Sequence, residues 1–342
     1  MMRKLLVLAC AVLPLCAGAV ERLAALAADT HSPTVSGLSS GGYMAIQLQV
    51  AHSSRVKGVA AIAAGPYYCA QGSTLAAYYN CLTPGTWSPL PSNDRLKAQA
   101  ERYASEGRID ATANLAAARV WLFSGSRDRT VERPVVEAAA QFYARFDVKN
   151  IPIHSRAAGH GMITENAGGD CATSEPPFIN DCDYDAAGAL LAHLLGALKP
   201  AGAKSGGQLM QFDQKPFADA NAHALSMADA GYVYVPEACA TQPCKVHVAF
   251  HGCRQNAETI GDRFAREAGY NRWADNNRLI VLYPQTTARY GVAMSAGRWT
   301  YVYNPRACWD WWGYTGALYA TKSAPQIRAV MAMVERLGAP RN

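Results

Sequence analysis

Short apolar runs that end in glycine, proline or polar loops alternate along this chain with stretches of helical character. Thr34 and Val35 begin a β-prone run, and residues 42–51 continue it as a helix. Residues 55–64 read as a buried strand, and residues 119–125, 151–156, 232–236, 244–250 and 278–283 as further strands. Helices are expected over 95–106, 134–146, 184–198, about 259–276 and 325–337, the last amphipathic. Residues 67–95, rich in Tyr, Pro and Gly, read as a loop insertion after a strand end. The pattern predicts an α/β fold with a mostly parallel central sheet and helices on both faces. Residues 199–207 read as a flexible polar linker.

The chemistry centres on Gly37-Leu38-Ser39-Ser40-Gly41, a Gly-x-Ser-x-Gly pattern with strand character before it and helix after it. In that context the turn is so tight that the flanking positions tolerate little beyond glycine. The serine is pushed into an exposed conformation at a helix N-terminus, where backbone amides can stabilise an oxyanion. Ser39 is the expected nucleophile.

Two loops supply partners. Asp128 lies just past the strand at 119–125, where this architecture puts a triad carboxylate, and His160 lies between Gly159 and Gly161 past the strand at 151–156. Serine, acid and histidine then come in the order of the α/β-hydrolase triad. His154 sits inside a strand, His52 ends a helix and His193 lies on one, so these three read as ordinary. A strand running into His251-Gly252-Cys253 has the form of an esterase oxyanion loop. That loop normally precedes the nucleophile, and here it follows by some two hundred residues. A circular permutation explains this, with 199–207 joining the old termini and one domain, residues 20–342, closing both halves around one site. No separate binding domain is read from the sequence.

Composition narrows the setting. The chain has 342 residues, half of them hydrophobic, ample for a large core. Met1-Met2-Arg3-Lys4, an apolar run to Cys16 and Ala17-Gly18-Ala19 read as a signal peptide over residues 1–19, so the product is expected to be secreted or periplasmic. The formal charge of +6 includes Arg3 and Lys4, and the remainder makes no basic stripe, so nucleic-acid binding has no support. Eight of the ten cysteines lie beyond that leader, an even count that argues for disulfides. Sequential pairing is economical: Cys69 with Cys81, Cys171 with Cys182, Cys239 with Cys244, and Cys253 with Cys308. A zinc site is the weaker rival, because there is no Cys-x-x-Cys and no matched histidine pair.

Taken together, GLSSGGYMA (37–45), GSRDRTV (125–131), AGHGM (158–162), AFHGCRQ (249–255), LIVLYPQ (279–285) and NPRACWDWWGY (304–314) resemble the poly(3-hydroxybutyrate) depolymerases with an N-terminal lipase box and a C-terminal oxyanion loop. The resemblance covers nearly all of the chain beyond the leader. It implies that Ser39, His160 and Asp128 are nucleophile, base and orienting acid. The oxyanion donors are then the backbone N–H groups of Ser40 and Cys253. It implies a Cys253–Cys308 disulfide that pins the loop to the aromatic cluster, with Trp309 against the substrate. Neither a metal nor an organic cofactor is implied. The expected enzyme is a monomeric serine esterase acting on a hydrophobic polyester or hydroxyalkanoate oligomers. A carbohydrate esterase of the feruloyl or acetyl-xylan type is the alternative enzyme, and a catalytically dead polymer-binding protein the alternative of another class.

Overall fold

The structure, a computed structural model, describes residues 20–203, 205–218, 225–295 and 298–341. The expected signal peptide lies outside the described residues. An eight-stranded sheet takes strands from both halves of the chain. The first half contributes β1 (Asp29–Leu38), β2 (Gly58–Ile62), β3 (Arg119–Phe123) and β4 (Ile153–His154). A small separate sheet follows, of β5 (Met162–Thr164), β6 (Gly169–Asp170) and β7 (Ile179–Asp181). The second half adds β8 (Gln208–Asp213), β9 (Ala230–Val235), β10 (Lys245–Phe250) and β11 (Leu279–Tyr283).

The spatial order is β4-β3-β2-β1-β10-β11-β9-β8, parallel from β4 to β11 and antiparallel at β9 and β8. The permutation is visible in that order. β10, which leads into His251-Gly252, lies directly beside the elbow strand β1, with Val35 opposite Val248 on one side and Val59 on the other. Every residue of β2 and β11 is buried, as a parallel sheet covered on both faces requires.

Helix α1 (Ser40–Ala51) is buried along its whole length against β1, β2 and β10. Its two glutamines are satisfied: Gln47 donates to the Asp310 carbonyl, and Gln49 accepts from the Tyr143 hydroxyl. Around it lie α2 (Thr74–Asn80), α3 (Asn93–Ser105), α4 (Arg133–Ala144), which carries Tyr143, and the C-terminal α9 (Pro325–Gly338). On the other face, α5 (Ala186–Leu195) reaches Gly58 through Leu194, and α8 (Tyr270–Asn277) reaches Ser36 through Tyr270. The caps are those the sequence offers: Ser73, Ser92 and Asp185 each accept a first-turn amide of α2, α3 and α5.

Three expectations need correction. The helix read over 259–276 is three pieces, α6 (Ala257–Ile260), α7 (Arg263–Glu267) and α8, because Gly261 and Gly269 take left-handed φ values of 64° and 91° between them. The 67–95 segment contains α2. The described residues of the 199–207 segment are not a loose linker: Asn277 and Asp275 accept the Lys199 and Gly206 amides, and Tyr234 accepts that of Gly207.

One feature was absent from the pattern reading. β12 (Arg289–Ser295) and β13 (Arg298–Asn304) form a hairpin of their own after β11. The structure pairs the eight cysteines as Cys69–Cys81, Cys171–Cys182, Cys239–Cys244 and Cys253–Cys308. Among the described residues no helix is long and apolar enough to cross a membrane.

Candidate active site

Ser39 sits between β1 and α1 with φ of 55° and ψ of −122°, a conformation that costs a non-glycine residue free energy. Its N–H donates to the Ile62 carbonyl, and its carbonyl accepts from Tyr43 in the first turn of α1. A Cβ on Gly37 would lie 2.3 Å from the Gly41 backbone, and one on Gly41 2.4 Å from the carbonyl oxygens of Phe250 and His251. The glycines of the pentapeptide are therefore required by backbone packing, and the elbow is pressed onto the end of β10. Ser39 keeps 8% of its surface exposed.

Asp128 and His160 are joined. The loops after β3 and β4 are laced by Ser126 N–H to the Arg156 carbonyl and Arg127 N–H to that of Ala158. Asp128 Oδ1 accepts the Thr130 and Val131 amides, while Oδ2 lies 2.8 Å from His160 Nδ1. A carboxylate can only accept, so the imidazole carries its proton on Nδ1 and leaves Nε2 as a lone pair. The His160 amide donates to Ser174, and the Phe178 ring stands edge-on to the imidazole at 6.3 Å. Ser39, Asp128 and His160 all lie beyond the C-terminal ends of parallel strands, the binding edge of an open α/β sheet. Among the described residues the Ser39 hydroxyl makes no hydrogen bond to His160, and such bonds are often long before substrate binds.

The loop after β10 is fixed by side chains of its own motif. Thr286 N–H donates to His251 Nε2 at 3.2 Å, so that nitrogen is unprotonated, and Nδ1–H must be the donor to the Gly252 carbonyl at 2.7 Å. Burial holds His251 neutral, with its pKa lowered to about 4. The Gly252 amide donates to Gln255 Oε1, that of Gln255 to the Gly252 carbonyl, and that of Arg254 to the Arg306 carbonyl. The Cys253 amide alone in this turn makes no hydrogen bond among the described residues. Gln255 Nε2 donates to the Pro177 and Phe178 carbonyls and so ties this loop to the ring beside His160.

Behind the loop lies the aromatic run. The Cys253–Cys308 disulfide joins the two. Trp309, expected against the substrate, has 0% exposed surface, with its ring edge-on to Phe250 at 4.9 Å and tilted over His251 at 5.6 Å. Its Nε1–H is buried without a partner among the described residues. Tyr43 of α1 stacks on Trp311 at 4.1 Å. The buried Asp310 carboxylate accepts the Gly313, Tyr314 and Thr315 amides, and burial pushes its pKa up.

Gln255, Thr286 and Tyr43 were missed as parts of the site. Gln255 stands inside the His-Gly-Cys motif, a signal that could have found it. His247 is a different matter: fully buried in β10, it bonds Thr34 and Ser36 inside the sheet and is held neutral by burial, its pKa lowered to about 3. Among the described residues no group of three or more His, Cys, Asp or Glu side chains could hold a metal ion.

No family model matches the chain. It is 40% identical over 327 residues to a poly(3-hydroxybutyrate) depolymerase of Delftia acidovorans, across 93% of this chain and 62% of that protein, so it spans just under two thirds of that relative. It is 35% identical over 329 residues to a polyhydroxybutyrate depolymerase of Talaromyces funiculosus, across 93% of both. Among solved structures, PHB depolymerase from Penicillium funiculosum matches with a TM-score of 0.82 at 32% identity, across 93% of this chain and 98% of that one. A PHB depolymerase complexed with an R3HB trimer matches with the same values. With a curated relative 35% identical along nearly its whole length and a solved relative of the same fold, the chain belongs to the poly(3-hydroxybutyrate) depolymerase family.

Proposed function

We propose that the protein is an exported serine esterase, one catalytic domain acting as a monomer, that hydrolyses the ester bonds of poly(3-hydroxybutyrate) or its oligomers. The observation that carries this reading is the Asp128–His160 bond, which leaves Nε2 as a base at the edge where the strained elbow presents Ser39. His160 takes the Ser39 proton as the oxygen attacks the ester carbonyl. The amides of Ser40 and Cys253 receive the oxyanion. The first turn of a helix has no internal acceptor for the Ser40 N–H, and the Cys253 N–H is unclaimed, which supports both.

The tetrahedral intermediate collapses to an acyl-serine, and His160 returns the proton to the departing hydroxyl end. A water that gives its proton to His160 then cleaves the acyl-serine, releasing the acid and restoring the serine. No cofactor enters the scheme. Trp309 supports the reading through its unpaired indole N–H beside His251; having no exposed surface, it meets a substrate carbonyl only where binding shifts the side chains that cover it. Four disulfides support an oxidising compartment, periplasm or medium. The relative complexed with an R3HB trimer supports the substrate class.

The test compares the wild type with Ser39→Ala and Asp128→Asn on amorphous polymer, hydroxybutyrate oligomers and feruloylated xylan. Ser39→Ala should abolish hydrolysis, and Asp128→Asn, which favours the wrong tautomer, should lower kcat by about 10⁴-fold. Near-normal turnover by Ser39→Ala, or faster release of ferulate than of hydroxybutyrate, would overturn the assignment.

A further inference from the structure

The loops around the catalytic residues carry cations that the chain itself does not neutralise. On the helices, Arg102, Arg133 and Arg263 each meet a glutamate four residues on. Arg127 and Arg129 flank Asp128, and Arg254 and Arg306 lie in the two segments joined by the Cys253–Cys308 disulfide. All four are exposed and make no ion pair among the described residues. The acids of these loops are engaged elsewhere: Asp128 holds His160, and Glu258 accepts from Thr287. The interior of a polyester chain carries no charge for such groups to meet. Its ends do, because every oligomer of a hydroxyacid carries one carboxylate, and every cleavage makes another.

Arg254 is held at both ends. Its backbone takes a left-handed φ of 58°, its amide donates to the Arg306 carbonyl, and the disulfide-bonded Cys253 precedes it. Its guanidinium lies over the ring of Phe178 at 4.9 Å. That ring is buried, stands edge-on to His160, and has its carbonyl gripped by Gln255, the next residue after Arg254. Stacking on a fixed ring restrains a side chain that would otherwise sweep through solvent, and it leaves the N–H fork free for a planar, two-oxygen acceptor.

We propose that Arg254 recognises the terminal carboxylate of a hydroxyalkanoate oligomer and so sets cleavage one or two units from that end. The inference rests on the esterase reading above and adds which end of the substrate is read. In that reaction His160 returns its proton to the departing hydroxyl, and the carboxylate terminus of the chain lies on the departing side of the scissile bond. The departing piece therefore runs from His160 past Phe178 toward the guanidinium. The imidazole is 6.3 Å from the Phe178 ring and the guanidinium 4.9 Å from it. A hydroxybutyrate unit has one backbone atom more than a peptide residue and spans about 4–5 Å when extended, so one or two units bridge the gap. The cations beside Asp128 add a field that draws the anionic end to this edge.

The test compares hydroxybutyrate trimer as its free acid and as its methyl ester, with the full chain at neutral pH. The readout is the ratio of kcat/KM on the acid to kcat/KM on the methyl ester. Arg254→Met keeps an apolar stem on Phe178 and should lower that ratio about five- to ten-fold, chiefly through KM on the acid. Arg254→Lys keeps the charge without the fork and should recover part of the loss. In the wild type, raising salt from about 0.02 M to about 0.5 M should lower the ratio as well, and in Arg254→Met it should not. A ratio unchanged in Arg254→Met overturns the proposal, however far the two rates fall together. Should that variant fail to fold, a wild-type ratio indifferent to salt overturns it equally. Turnover of neither trimer by the wild type would instead sink the esterase reading itself.

Discussion

The backbone N–H of Thr286 donates to Nε2 of His251, and this contact decides which nitrogen of a buried imidazole carries the proton. The other nitrogen, Nδ1, then grips the Gly252 carbonyl. That carbonyl and the Cys253 N–H belong to one planar peptide unit, so fixing the first aims the second. The histidine of the His-Gly motif thus acts as a positioning residue for the proposed oxyanion donor.

His251→Leu should therefore lower kcat toward the 10²- to 10³-fold loss typical of a missing oxyanion donor, with KM little changed. His251→Asn keeps a donor near the Nδ1 position and should recover at least ten-fold of that loss. Steady-state kinetics on a soluble ester separates the two parameters. Equal kcat for the Asn and Leu variants would show that the bond to Gly252 does not matter.

His251 and His247 also set an acid limit on stability. Both are fully buried, with pKa values lowered by desolvation to about 4 and about 3, against about 6.5 in an unfolded chain. Between these limits the unfolded state binds protons that the folded state does not, so stability falls as pH drops from about 6.5 toward 4. Two such protons give a slope of up to about 2.7 kcal/mol per pH unit. Urea unfolding at steps from pH 7 to pH 4.5 measures it, and a flat profile across that range would contradict the neutral, buried state of both rings.

Trp309 gives a test that separates its ring from its N–H. Trp309→Phe keeps most of the packing against Phe250 and removes the unpaired donor. If that donor meets a substrate carbonyl, kcat/KM on hydroxybutyrate trimer should fall about five- to ten-fold, the worth of one hydrogen bond, with little change in melting temperature. Trp309→Ala should instead cost about 3–5 kcal/mol of stability through the cavity it leaves. Wild-type kcat/KM in the Phe variant would confine Trp309 to packing.

What could be read from the sequence followed from how local each constraint is. Gly37 and Gly41 are demanded by backbone contacts within a few residues of Ser39 or at the next strand, and a pentapeptide records that demand. Asp128 and His160 were legible because each follows an apolar run and a glycine. The role of the His251 side chain was not, because its partner Thr286 lies 35 residues away and nothing local says which nitrogen it meets. The segment at 199–207 looked loose for the same reason: Asp275 and Asn277, which hold it, come some seventy residues later. The hairpin escaped because its alternation is reversed, with Tyr301 and Tyr303 outside and Val302 inside, so a search for an apolar inner face reads it the wrong way round.

The Cys253–Cys308 disulfide should matter twice, and the two effects can be measured apart. It closes a sequence separation of 55 residues, for which the chain-entropy account gives about 4 kcal/mol of stabilisation. The double variant Cys253→Ser with Cys308→Ser should therefore unfold at lower urea, with a slope equal to or steeper than that of wild type, because the unfolded chain without the link is less compact. It also frees the loop that holds the Cys253 amide, while leaving His251, Gln255 and the peptide backbone in place. At a temperature where the variant is still fully folded, its kcat should fall about ten-fold on a soluble ester, less than the loss of a whole oxyanion donor, because the bonds from His251 and Gln255 remain. Unchanged kcat together with the lost stability would make the disulfide a staple for the fold and assign the aiming of the amide to His251 alone.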